Sequence, residues 1–399
     1  MNTLEIAGEL DRLLIIAAED LDIPPGKLED AKKKYEAIGN WLDAEDSPLR
    51  PFHPRLFAQG SVAHGTATKP IGSDEHDVDL TCEIQFPAWM TPAAARDMVL
   101  QRISSNEIYR DKIDNSKRRC IRIRYAGDFH LDVIPCKPDP LARGIQITDE
   151  AWAHGGTAVL IPDKELANWS SSDPAGYTGW FLHRAKLSRL IVATNERSTE
   201  FSVAASLEPF PQHDPANKLP LQVLVQIMKR HRDCYFQGRD DAPISIIIST
   251  LGARAIRPAN SLVGAFAELP DRMELYIDGG PGSWSIPNPT NYKENFADRW
   301  NTHPERATAF EHWRRQLKAD VDALLNARGM VAVEKAFAKF VGDKRAGLVI
   351  RRSSDSIGGA RQSNILGMSK GTGRLIATAS SAVASVVPVR GNTFMGDPE

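Results

Sequence analysis

The segment from His76 to Ile84 alternates polar and apolar residues, the pattern of a strand with one face in a core and the other turned away from it. Side chains two apart on a strand share a face, so Asp77 and Asp79 stand side by side on the polar one. A second strand-like segment, His130-Leu131-Asp132-Val133-Ile134-Pro135, carries one more carboxylate. If the two strands are neighbours in a sheet, three acids converge, which is costly unless a divalent cation neutralises them. Taken singly the acids are ordinary. Asp-x-Asp also occurs on solvated strand edges, and Asp132 alone reads as a strand-end carboxylate.

The preceding segment changes that reading. Leu56-Phe57-Ala58-Gln59 reads as a short strand running into Gly60-Ser61, and Gly65-Thr66 continues the same loop. A glycine lets the backbone approach a phosphate closely, and amides at a following helix N-terminus can hold it. The Ser61 hydroxyl can donate to a phosphate oxygen. Three carboxylates offer hard oxygen ligands that suit magnesium, which also takes phosphate oxygens. Two such ions about 4 Å apart activate an attacking hydroxyl and stabilise the leaving oxygen. Attack of a ribose hydroxyl on an α-phosphate, with pyrophosphate leaving, uses every one of these parts.

The remainder of the chain supplies a scaffold. Residues 4–20 read as an amphipathic helix, Pro24-Pro25-Gly26 as a break, and 27–45 as a second, charged helix. Residues 91–104 read as a helix, and 120–125 and 129–134 as paired strands around Ala126-Gly127-Asp128. From about 170 the pattern turns helical, with helices expected at 219–236, 243–256, 305–327 and 330–341. The expected division is 1–50, N-terminal helices bracing both lobes; 51–170, a catalytic lobe; 171–352, a helical lobe; and 353–399, a flexible tail. That tail is rich in Ser and Gly with Phe394 its one aromatic, a composition that struggles to bury a core. Hydrophobic residues at 42% and charged residues at 25% are ordinary for a globular protein. A formal net charge of −2 leaves no global basic field for nucleic acid. Cys82, Cys120, Cys136 and Cys234 form no CxxC pair and read as reduced thiols of a cytoplasmic protein. No secretory signal or membrane span is expected.

Gln59-Gly60-Ser61-Val62-Ala63-His64-Gly65-Thr66, followed by His76-Asp77-Val78-Asp79-Leu80, resembles the signature of the polymerase-β-like nucleotidyltransferases. Within them the chain is similar to the bacterial relatives of cyclic GMP-AMP synthase, the CD-NTases, which make signals in anti-phage systems. Leu221 to Asp233 is similar to that family's central helix, and Ile286-Pro287-Asn288-Pro289 with Glu294 to Trp300 to part of its helical lobe. The resemblance covers about residues 5–340. It implies an α+β fold: a nucleotidyltransferase lobe of mixed sheet and helices, a helical lobe, and an active site in the cleft between them. It gives Asp77, Asp79 and Asp132 the catalytic and metal role, with two Mg2+ ions expected and Mn2+ a substitute. It gives Gly60 and Ser61 the triphosphate, and places Lys229 on the helix that reaches the donor phosphates. A Lys229 salt bridge to Asp233, one turn on, is the competing reading. The implied reaction is template-independent synthesis of a cyclic di- or trinucleotide second messenger containing adenine, from ATP and a possible second nucleotide. A linear oligoadenylate synthase, an RNA-end nucleotidyltransferase and a nucleotide-binding module without turnover remain alternatives.

Two further features bear on partners. Lys117, Arg118, Arg119, Arg122 and Arg124 form a basic group that reads either as a contact for a nucleic-acid activator or as a charge-protected sheet edge. The tail ends with Val387, Val389 and Phe394 spaced as in a strand that adds to a partner. Some members of the family carry a C-terminal peptide captured by a HORMA-domain protein, and residues 386–396 are the expected equivalent. An unused chain end is the alternative.

Overall fold

The computed structural model describes residues 3–71, 76–114, 116–117, 119–125, 129–142, 156–163, 165–188, 207–211, 217–362, 366–369, 375–377 and 386–388. Two helices open the chain, α1 (Thr3–Leu21) and α2 (Pro25–Leu42). Where the sequence suggests a break, Pro25 is the first residue of α2. A proline there has its φ preset for a helix and lacks only an N–H that would find no partner in the first turn.

A seven-stranded mixed sheet follows, from β1 (Arg55–Ala58), β2 (His76–Glu83), β3 (Ile113–Asp114), β4 (Ile121–Tyr125), β5 (Phe129–Pro138), β6 (Val159–Pro162) and β7 (Trp169–Ser172). Its main path runs β1-β2-β5-β4-β3, with β6 joining β5 to β7. β2 and β5 are parallel, and β1 and β4 lie antiparallel on either side of them. One face packs against α2 and α4 (Pro92–Ser104). Tyr35, Ile38 and Leu42 of α2 and Ala95, Val99 and Ile103 of α4 meet Val78, Leu80, Ile121, Ile123, Leu131 and Val133 of the strands, all buried. Thr91 starts α4 by accepting from the Ala94 amide at 3.2 Å, with Pro92 in the first turn.

The second core is helical. It is built by α1, α6 (Pro174–Leu187), α7 (Pro220–Phe236), α8 (Ser245–Ala255), α9 (Leu262–Met273), α10 (Pro304–Asn326), α11 (Met330–Val341) and α12 (Asp343–Gln362), where α3 (Gly60–Ala63) and α5 (Glu107–Arg110) are short turns of the first lobe. Trp180, Phe266, Phe310, Trp313 and Phe340 fill its centre. The two N-terminal helices thus divide their work. The apolar face of α1 enters the helical core and that of α2 the sheet core.

The composition shift at 353 does not end the helical structure. α12 runs on to Gln362, and Ser353 is buried within it. Within the helical lobe β8 (Pro287–Asn288) and β9 (Asn291–Asn295) form a two-stranded sheet, and beyond α12 β10 (Leu366–Ser369), β11 (Leu375–Ala377) and β12 (Val386–Pro388) form a three-stranded sheet of order β11-β10-β12. Val386–Pro388, the start of the expected partner peptide, pairs with Gly367–Ser369 of the same chain. Residues 389–396 lie outside the described residues.

Candidate active site

Strand alternation decides which side chains meet. In β2, Val78, Leu80 and Cys82 face the core, as do Leu131 and Val133 of β5 and Ile121 and Ile123 of β4. The residues between them turn to the other face: Asp77 and Asp79, His130 and Asp132, Arg122 and Arg124. The parallel register sets Asp77 opposite His130 and Asp79 opposite Asp132. The antiparallel register on the far side sets Arg122 opposite Asp132. The three acids expected from the sequence therefore share one face of adjacent strands.

Their electrostatics follow from that crowding. Burial, then the charges of Asp132 and Asp77, push the Asp79 carboxyl up to about 7. Burial also raises Asp77, but the hydrogen bond from His130 and the charges of His130, Arg122 and Lys117 outweigh it and hold Asp77 below the usual carboxylate range. His130 pairs with Asp77 through Nε2 and Oδ1. Burial works against its charge, and the Asp77 bond carries it above the ordinary imidazole value. Arg122 supplies the other countercharge. Its Nε donates to Asp132 Oδ1 at 2.8 Å and its Nη2 to Oδ2 at 2.7 Å, with Nη2 3.6 Å from Asp77 Oδ1. Asp77, His130 and Asp132 each offer a ligand atom, all within 4.8 Å of one another. Asp79 lies beside this group and turns Oδ2 toward Gly60. The neighbouring Cys120 is pushed up to about 12 by burial and by Asp132, so it stays a thiol.

Gly60 meets the acids from β1. Its φ is +65°, and a Cβ there would sit 3.0 Å from Asp79 Oδ2. Both facts exclude a larger residue. Ser61 follows in the single turn of α3 and lines a cleft of about 1780 Å3 between the lobes, together with Thr66, Asp77, Arg122, His130 and Lys229. Lys229 is buried, and its Nζ donates to Thr66 Oγ1 at 3.0 Å and Thr66 O at 3.3 Å. The alternative pairing with Asp233 gives way to one between Asp233 and Arg232, at 2.6 Å.

The basic group divides instead of forming one surface. Arg122 is turned to the acids, and Arg124 bonds Asp114 through Nε at 3.0 Å and Nη2 at 2.6 Å. β4 lies between β5 and β3, so it is no sheet edge. Arg118 lies outside the described residues. Two members of the site thus escaped the sequence reading. His130 was legible, being two residues before Asp132 and so on its face. Arg122 was visible only as one of a run of basic residues.

The Second Messenger Oligonucleotide or Dinucleotide Synthetase domain family matches residues 16–184. A c-di-GMP synthase of Roseivirga ehrenbergii is 30% identical over 395 residues, 98% of this chain and 98% of that one. The chain belongs to the bacterial CD-NTase family. As a CD-NTase it is a nucleotidyltransferase of the cyclic-oligonucleotide-synthase kind. Solved CD-NTases share the fold. The Bradyrhizobium diazoefficiens CdnG in complex with GTP superposes with a TM-score of 0.63 at 21% identity, covering 88% of this chain and 99% of its own. The CdnC:HORMA complex of E. coli MS115-1 gives a TM-score of 0.56 at 14% identity, over 82% of this chain and 95% of that one. No helix among the described residues is long and apolar enough to cross a membrane.

Proposed function

We propose that this CD-NTase joins two nucleoside triphosphates into a cyclic dinucleotide second messenger at the acidic face of its sheet, and that GTP is its principal substrate. The observation that carries the reading is the meeting of Asp77, Asp79 and Asp132 on one face, with Asp77 and Ser61 lining the cleft beside it. Hard carboxylate oxygens crowded until one carboxyl is pushed up to about 7 are the donor set a divalent cation fits. Asp77, Asp79 and Asp132 would hold it, with His130 and Arg122 orienting Asp77 and Asp132. Bound magnesium or manganese supplies Lewis acidity at the reacting phosphate.

The chain's own groups do the rest. Gly60 brings the backbone close, and the Ser61 hydroxyl donates to a phosphate oxygen. The cleft of about 1780 Å3 exceeds the roughly 300–1,000 Å3 of a single-ligand pocket, which suits two nucleotides held together. A ribose hydroxyl of one nucleotide attacks the α-phosphate of the other, and pyrophosphate leaves. The same step in the opposite sense closes the ring.

The sequence reading expects ATP and an adenine-containing product. The guanine reading is supported by near full-length likeness to a relative named for c-di-GMP. Incubation with all four nucleoside triphosphates and magnesium, followed by mass spectrometry, tests it. A phosphatase-resistant product containing guanine is expected. An all-adenine or linear product contradicts it. The reading extends to the tail, where residues 386–396 are proposed to add as a strand to a HORMA-domain partner, with Val386–Pro388 leaving Gly367–Ser369.

A further inference from the structure

The chain crosses from the sheet to the helical lobe at the end of β7, where Ser171 and Ser172 run into Asp173 and α6. Such a crossing is where a hinge is expected, because a few residues at element ends can absorb the change in φ and ψ. Here the crossing is tied down by the helical lobe. Ser172 Oγ donates to Glu294 of β9, at 2.9 Å to Oε1 and 3.0 Å to Oε2, and the Asp173 main-chain amide bonds the same carboxylate. Asn288 Nδ2 of β8 donates to Glu294 Oε2 at 2.7 Å. Asn291 Nδ2, at the start of β9, donates to Ser171 Oγ at 2.8 Å. Ser172, Asp173, Asn288 and Asn291 are buried.

The tie is anchored on both sides. Ser171 Oγ donates on to Asp139 Oδ2 at 2.5 Å, and Asp139 directly follows β5, the strand of His130 and Asp132. Asp139 Oδ1 accepts from the amides of Leu141 and Ala142 at 3.0 and 3.1 Å. Asp173 caps α6 by accepting from Gly176 N at 2.9 Å, and the Thr157 hydroxyl donates to the same oxygen at 2.7 Å. On the helical side Ile286, Ala297 and Trp300, which flank the hairpin, are buried in the second core. Among the described residues one hydroxyl and two amides converge on Glu294, and a carboxylate meets them with two acceptor oxygens. A glutamine would keep the shape and offer one. Burial raises the Glu294 carboxyl above its ordinary value against the pull of these donors.

We propose that the β8–β9 hairpin is a clasp on this crossing, and that Glu294 and Asn291 are positioning residues that fix the angle between the lobes. The acids and Ser61 stand on the sheet lobe, while Ser245 of α8 and Gln316 and Asp320 of α10 line the same cleft from the helical lobe. The clasp therefore sets the width across which two nucleotides meet. Its effect on turnover rests on the reading that this cleft takes nucleoside triphosphates.

Double electron–electron resonance between nitroxides at Glu107→Cys and Arg328→Cys reads the separation of the lobes. Both positions are exposed, one in each lobe, and Cys234→Ser removes the native thiol that is not buried. Glu294→Gln, Ser172→Ala and Asn291→Ala are compared with that full-length background, with turnover of GTP and magnesium measured alongside. Each is expected to broaden the distance distribution and to lower kcat by about tenfold, as misplacement remote from the chemistry does, while the circular-dichroism spectrum is kept. The pair Glu294→Gln, Ser172→Ala is expected to lose no more than either single variant, because both break one contact. Unchanged distances in a folded Glu294→Gln chain overturn the proposal, and so do a broadened distribution with wild-type kcat or additive losses in the pair. If Glu294→Gln fails to fold, Ser172→Ala decides by the same criteria. The distances judge the clasp whatever the cleft binds. A wild type that makes no product from any nucleoside triphosphate sinks the reading of the cleft instead.

Discussion

The acidic face of the sheet and the polar row of α7 both bury charge beside the same cleft, and they settle it differently. On the sheet, Asp79 faces Asp132 with Asp77 beside them, and the shared countercharges are Arg122 and the His130 imidazole. On α7, Gln222, Gln226, Lys229 and Arg230 each reach a carbonyl of the 64–69 loop. The first arrangement leaves like charges crowded and gains from a bound cation. In the second, each side chain is bonded to the chain itself. Crowded, underneutralised charge marks a place that binds.

The largest effect expected from this contrast is on turnover. Asp77→Asn with Asp79→Asn should lower product formation by about 10² or more while the fold persists, since metal and electrostatic positioning commonly carry that much. Chromatography of products beside a circular-dichroism spectrum checks it. A folded variant with wild-type turnover would erase the distinction between the two regions. Next in size, Ser61→Ala should weaken nucleotide binding or turnover by roughly 1–3 kcal/mol, the range for a hydrogen bond to a charged group. Unchanged affinity and rate would remove Ser61 from the site.

The third effect is a pH dependence that differs in sign between the regions. Asp79 is raised to about 7. Between about pH 4 and 7 the folded chain keeps a proton there that the unfolded chain has released. Its stabilising contribution is full below about pH 4 and is lost as pH rises through about 7. Lys229 is lowered to about 7. Between about pH 7 and 10 the unfolded chain holds a proton that the folded chain has shed, so stability rises with pH in that window. Denaturant unfolding in chelator across both windows reads the slopes. Asp79→Asn should flatten the fall on the acid side, and Lys229→Met the rise on the alkaline side. A variant that leaves its own window unchanged contradicts the assignment for that region.

These two regions also differ in how far the sequence reveals them. Period-two alternation places Asp77 and Asp79 on one face without any structure, and the strand His130 to Pro135 offers Asp132 the same way. His130 follows from the same rule. The helices at 330–341 and around 220–236 announce themselves by apolar spacing. The α7 row does not. Leu221, Leu224, Val225 and Met228 mark a buried face, and nothing in the sequence gives Gln222, Gln226 and Arg230 a partner until the 64–69 loop is seen lying across them. The partner of a buried glutamine is a carbonyl far away in the chain, which no local pattern encodes. α12 is missed for another reason: its Ser- and Gly-containing end has low helix propensity, and packing of the preceding residues against the helical core overrides it.

The smallest effect concerns the tail. Deleting 386–399 should leave both lobes folded and the two-nucleotide reaction intact, because the described tail strands pair with one another. Only capture of a HORMA-domain protein in a pull-down should be lost. Equal capture by the truncated chain would move that interface to the lobes.

Titration with Mn2+, followed by its electron paramagnetic resonance signal, tests the central claim most directly, because it reads the acidic face without requiring turnover. In the presence of a non-hydrolysable GTP analogue the wild-type chain should bind the ion. The Asp77→Asn, Asp79→Asn chain should bind it at least about tenfold more weakly. Equal ion binding by the wild type and the doubly neutralised chain would contradict the assignment of the acidic face as the cation site.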